Sequence, residues 1–153
     1  MTIKKILFAG IIGGIANIII GNTLIFFSSN VLSNMFNLEI PELFKYPNNL
    51  LLPVLSVIIG FIWAVAYALI NKGIPGKIAI FKGLFYGFIL WFIGSVPQNL
   101  VEYLANNQKY YLYKIFPEFI QYIIVCFIIS IVYESVNKKK KENSKQKVEE
   151  NSE

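Results

Sequence analysis

Apolar residues fall in four long blocks along the chain, at about 6–27, 50–70, 78–101 and 116–136. Within each block they are nearly continuous, with no polar face recurring at helical spacing. A helix needs about 20 apolar residues to cross the hydrocarbon of a bilayer, and each block is of that length. The pattern predicts an all-α protein, a transmembrane four-helix bundle over residues 1–137.

Local signals set the ends of these spans. Asn48 and Asn49 can cap the second span, and Pro53 falls in its first turn, where a missing N–H does little harm. Asn71-Lys72-Gly73, with Pro75 beyond, is a helix stop. Between spans one and two, Val31, Leu32, Met35 and Phe36 recur at helical spacing before Pro41 and Pro47. They predict a short helix in the outer interface or an extension of span one. Residues 138–153 are charged and nearly free of apolar side chains, which predicts a disordered cytoplasmic tail.

Lysine placement gives the orientation. Lys4, Lys5, Lys72, Lys77, Lys82 and the six lysines of the tail lie on one side of the spans. Only Lys45, Lys109 and Lys114 lie on the other. Positive charge near span ends marks the cytoplasmic side, so both termini are expected there, in a multi-pass protein of the cell membrane. Lys4 and Lys5 imitate the start of a signal peptide. The apolar stretch after them is long for a signal core and ends without a small-x-small cleavage site, so span one is read as retained.

Composition narrows the chemistry. The chain has 153 residues, is 56% hydrophobic and contains 14 Lys and 9 Glu but no His, Arg or Asp. Its mean hydropathy is +0.57. Without His there is no neutral-pH imidazole base and no His-ligated metal. Without Arg there is no bidentate phosphate clamp. Cys126, the single cysteine, lies in a span with no base to activate it. Gly73–Gly76 is a turn and not a phosphate cradle. No enzyme, cofactor, metal or nucleic-acid reading follows; the lipid bilayer is the expected partner.

In a membrane, helices associate by close packing at small residues rather than by hydrophobic burial. Gly10, Gly14, Asn17 and Gly21 are spaced four, three and four apart, as one face of span one with Gly13 widening it. Ser56, Gly60, Ala64 and Ala68 form an every-fourth row on span two, and Gly83, Gly87 and Gly94 a face of span three. Span four has no such seam and is expected on the outside of the bundle, against lipid.

Several polar residues fall where hydrocarbon offers them no partner. Asn17 near the middle of span one must face another helix, a cavity or a partner chain. Gln98, Asn99 and Glu102, with Ser95, end span three; Glu118 and Gln121 begin span four on one face. Together they make a candidate polar cavity at the outer side, where Pro97 is expected to break the helix and free carbonyls. Glu134 is placed to pair with Lys138, four residues on. Lys138, Lys139, Lys140 and Lys141 can attract anionic lipid, at about 1 kcal/mol each near the surface.

The stretch Phe61–Leu100 carries a span, a short basic Gly/Pro loop, then Lys82-Gly83-Leu84, Tyr86-Gly87 and Trp91. With the Gly-bearing first span Lys4–Gly14, it resembles prokaryotic families of small four-span membrane proteins of unknown function. The resemblance implies the four-span architecture and no activity. Small multidrug exporters share the size and span number but carry a glutamate in the middle of span one, where this chain has Asn17.

The expected role is therefore non-enzymatic, acting through helix–helix association with a second copy or another membrane protein. The alternative is a small dimeric channel or transporter with a polar outer vestibule.

Overall fold

A computed structural model describes residues 3–27, 30–31, 33–36 and 51–150; side chains at 25, 33, 36, 51, 52 and 137–150 lie outside that description. Six α-helices follow in order: α1 (Ile3–Phe27), α2 (Ser33–Phe36), α3 (Leu51–Ile70), α4 (Ala79–Leu90), α5 (Val96–Asn106) and α6 (Tyr110–Glu150). A π turn, Trp91–Ser95, joins α4 to α5 without interrupting the rod. Among the described residues four stretches are long and apolar enough to cross a membrane: Ile3–Leu24, Pro53–Ile70, Ala79–Asn106 and Tyr110–Val136. The architecture is an all-α bundle of four apolar helices, that of a multi-pass membrane protein.

The π turn corrects the expectation that Pro97 breaks span three. Proline has no N–H to return to the carbonyl four residues earlier, and its ring crowds that carbonyl. The backbone widens instead, and the Val96 N–H reaches Trp91 O, five residues back. Pro97 then sits in the first turn of α5, where its missing donor is tolerated. Residues four apart on an α-helix drift by roughly 40° around the axis. The wider turn takes back part of that drift, so the row Gly83, Gly87, Trp91, Ser95, Asn99 stays against α6.

At the far end, α5 stops at Asn107, whose left-handed φ of 53° closes the helix with a 2.7 Å bond from its N–H to Tyr103 O. Asparagine tolerates that conformation better than most residues. The chain reverses at once into α6, which starts at Tyr110, earlier than the expected 116. Pro117 therefore lies inside the helix. Two residues before it, the Ile115 carbonyl accepts a 3.0 Å bond from Trp91 Nε1.

The second correction concerns α6. It is the central helix, packed on α1, on the α4–α5 rod and in part on α3. Val125, Cys126 and Ile129 are fully buried. The glycines explain why. A Cβ at Gly13 would stand 2.5 Å from Ile129 Cγ1, one at Gly83 2.7 Å from Phe127 Cα, and one at Gly87 2.9 Å from Ile123 Cα. Small residues on the neighbours let the bulky helix sit between them, so the glycine rows flank the central helix rather than mark it.

The small residues of α1 divide between two faces. Gly10 and Gly14 meet α3, where their Cβ atoms would come 2.9 Å from Phe61 Cα and 2.6 Å from Val57 Cα. Gly60 lies against Gly14 across that contact. Gly13, Asn17 and Gly21 turn toward α6 instead. Of the α3 row, Gly60, Ala64 and Ala68 are buried and Ser56 is half-buried. Gly94 is exposed, and a Cβ there would meet only Tyr122 Oη at an ordinary 3.7 Å, so it takes no part in the tight seam.

Helical backbone in α6 continues to Glu150, where the sequence predicts a disordered tail. Lys, Glu and Gln are good helix formers, and a strong helix preceding them supplies the nucleus that an isolated segment lacks. Of the connection that holds the expected outer helix, residues 30–31 and α2 are described, and residues 28, 29, 32 and 37–50 are not.

Candidate functional site

Spans three and four form an antiparallel pair closed by polar contacts at both ends. At the end near the Asn107 reversal, Glu118 of α6 is the centre. Its Oε2 accepts from Asn99 Nδ2 at 2.6 Å and from the Ser95 hydroxyl. Its Oε1 lies 2.8 Å from Lys114 Nζ, one turn earlier on the same helix. Asn99 Nδ2 also reaches Ser95 O at 2.9 Å and Ser95 Oγ at 3.3 Å. Ser95 and Asn99 are 1% and 3% exposed, so these donors have no water to turn to. A carboxylate with two neutral donors and one ammonium has its charge offset and much of its hydrogen-bonding capacity filled.

Nearer the middle of the membrane, Gln121 Nε2 donates to Asn17 Oδ1 at 2.7 Å. A Cβ on Gly21 would stand 3.0 Å from the same Gln121 nitrogen, so glycine there leaves room for the amide. Gln121 and Glu118 lie three apart on α6, the first bonded to α1 and the second to α5. The polar groups of this region form two bonded sets, one tying α1 to α6 and one tying α5 to α6.

Not every expected site residue joins them. Gln98 is exposed. Glu102 is half-buried on α5 and accepts a hydrogen bond from the Tyr111 hydroxyl, away from the Glu118 set. The side chains of Lys138, Lys139, Lys140 and Lys141 lie outside the described residues. Glu134 Oε1 stands 3.8 Å from Lys82 Nζ, a partner from another span that the sequence reading did not consider.

At the opposite end, which carries Lys5 and the α3–α4 loop, a second buried cluster was not foreseen. Tyr67 of α3 donates to Ser130 Oγ at 3.2 Å, and the Ser130 hydroxyl donates to Ala79 O. Tyr86 of α4 donates to Trp63 O at 2.8 Å, closing the space between α3 and α4. Tyr67 lies 5.4 Å, ring to ring, from both Tyr86 and Tyr133. A signal for this side existed in the sequence. Lys114, Glu118, Tyr122, Cys126, Ser130 and Glu134 recur every four residues along α6. From Glu118 to Glu134 that row meets the α4–α5 rod, and the Tyr122 ring also lies 4.7 Å from Trp63 of α3.

Among the described residues no group of three His, Cys, Asp or Glu side chains is placed to hold a metal ion. Cys126 is fully buried. Comparison of the chain with protein-family models, with curated proteins and with solved structures finds no match.

Proposed function

We propose that the protein is a non-enzymatic membrane bundle that works by lateral association, with a second copy or a membrane partner, through the outward face of α4 and the π turn that follows it. The observation that carries this reading is a row of four exposed phenylalanines: Phe81, Phe85, Phe88 and Phe92. Their spacing of four, three and four is that of a heptad seam, the pattern by which one helix packs along another. Phe88 and Phe92 stack with centroids 6.1 Å apart and planes within 15°, so they present one surface. The Gly10, Gly14 and Gly60 contacts and those of Gly83 and Gly87 are made inside the monomer, which leaves an aromatic face rather than a glycine seam for an external contact.

Mass spectrometry of the tagged chain, gently extracted from its membrane, tests this. A second copy or a stoichiometric partner should travel with the native chain and be lost from the Phe85→Ala/Phe88→Ala variant. A lone monomer from the native chain overturns the reading.

A second reading, a small channel or transporter, is supported by one feature. Glu118 is a carboxylate inside a candidate span, joined to Ser95, Asn99 and Lys114. It requires solute or ion flux in liposomes that falls in Glu118→Gln and Asn17→Leu. Flux equal to that of empty liposomes across a broad solute panel removes it.

The lysine bias supports placement in the cell membrane with both termini on the cytoplasmic side. Reporter fusions at the two termini test the orientation; activity of an exported reporter at either end reverses it.

A further inference from the structure

Lys5, in the first turns of α1, is only 7% exposed. A lysine so near a helix end can usually extend its amine to water. Here the side chain runs inward and sets Nζ 5.7 Å over the ring of Tyr133. That ring is itself fixed. Tyr133 is buried, lies edge-on to Tyr67 at 5.4 Å, and its hydroxyl is hydrogen-bonded by the Asn71 side chain.

The aromatic face attracts the ammonium but accepts none of its three N–H bonds. Among the described residues the ion pairs are Lys82–Glu134 and Lys114–Glu118, and neither involves Lys5. Glu134, next to Tyr133 in the chain, is engaged by Lys82 from α4. Lys4, Lys72 and Lys77 at the same end are exposed and add positive potential. A lysine turned onto an aromatic ring rather than onto a carboxylate, in a positive field, fits an anion supplied from outside the chain.

We propose that Lys5 is the anchoring residue of a site for a phosphate group at this end of the bundle. Lysine suits a phosphate oxygen as a compact point charge. Lys5 lies in the first turns of a candidate span, and basic sites between spans are a recurring way of holding anionic lipid. A phospholipid headgroup and soluble phosphate share the chemistry, and the experiment separates them.

The full chain, delipidated in neutral detergent, would be titrated with phosphatidylglycerol, phosphatidylcholine and inorganic phosphate. Native mass spectrometry and thermal melting are the readouts. One phosphatidylglycerol should be retained, at concentrations at least about tenfold below those at which phosphatidylcholine is held, and it should raise the melting temperature. Equal protection by inorganic phosphate keeps the site and assigns it to the soluble anion. Lys5→Gln should lose the effect, Lys5→Arg should retain it, and the exposed neighbour variant Lys4→Gln should leave it intact. If Lys5→Gln does not fold, Tyr133→Leu tests the same cradle, with Tyr133→Phe as the variant that keeps the ring. Equal binding of both lipids, binding of no phosphate species, or equal losses in Lys4→Gln and Lys5→Gln overturns the proposal.

Discussion

Gln121 donates a 2.7 Å hydrogen bond to Asn17 across 104 positions of sequence. It joins the first span to the last, side chain to side chain. Hydrogen bonds between membrane helices contribute about 0.6–2 kcal/mol, because the alternative partner is hydrocarbon or a rearranged helix. A double-mutant cycle with Asn17→Leu and Gln121→Leu should therefore give a coupling energy in that range, measured by reversible unfolding in bicelles. Additive single losses would show that the two amides do not depend on each other.

The contact between α1 and α3 makes a different demand. A Cβ at Gly14 would stand 2.6 Å from Val57 Cα, a backbone atom that cannot swing aside. Gly14→Leu and Gly60→Leu should each lower stability by about 1–3 kcal/mol or more through overpacking. Because these glycines are used within the monomer, the loss should appear in the thermal melting of a dilute, monomeric sample. A variant that melts normally and only changes oligomeric state would place the seam between copies.

Glu118 and Lys114 test the outer cluster. Glu118→Gln removes the negative charge while keeping an acceptor for Ser95 and Asn99, and leaves the Lys114 ammonium without its carboxylate. Hydrogen bonds to charged groups contribute about 1.5–3 kcal/mol, and both side chains retain some exposure, so a loss of about 1–2 kcal/mol is expected. Lys114→Met added to Glu118→Gln should recover part of it. Unfolding free energies of the three variants decide the matter; no recovery in the double variant would mean that the pair contributes little.

Ser130 is the middle of the other cluster, accepting from Tyr67 and donating to Ala79 O. Ser130→Ala leaves the buried Tyr67 hydroxyl without that acceptor, which should cost about 1–3 kcal/mol. Tyr67→Phe in the same background should restore most of the stability, since no donor then remains to be satisfied. The melting temperatures of the single and double variants measure both effects. Equal losses in Ser130→Ala with and without Tyr67→Phe would contradict the arrangement.

The sequence by itself determined the number of spans and their approximate limits. Those follow from chain properties that need no neighbour: about 20 apolar residues in a row, stops such as Asn71-Lys72-Gly73, and the exclusion of polar backbone from lipid. It also singled out Asn17, Asn99, Glu118 and Gln121, because a polar side chain inside an apolar run must find a partner. It could not say which partner. Asn17 takes Gln121, Asn99 takes Glu118, and Glu134 lies beside Lys82, each choice set by which helices adjoin. Helix order was also decided only in three dimensions. The glycine-free span became the centre because Ile129, Ile123 and Phe127 fill the hollows at Gly13, Gly87 and Gly83. Lys5 reads as an ordinary span-end lysine until the fold sets Tyr133 beneath its amine. A linear pattern records what each residue requires, whereas packing decides which neighbour supplies it, since complementarity belongs to pairs of surfaces brought together only by folding.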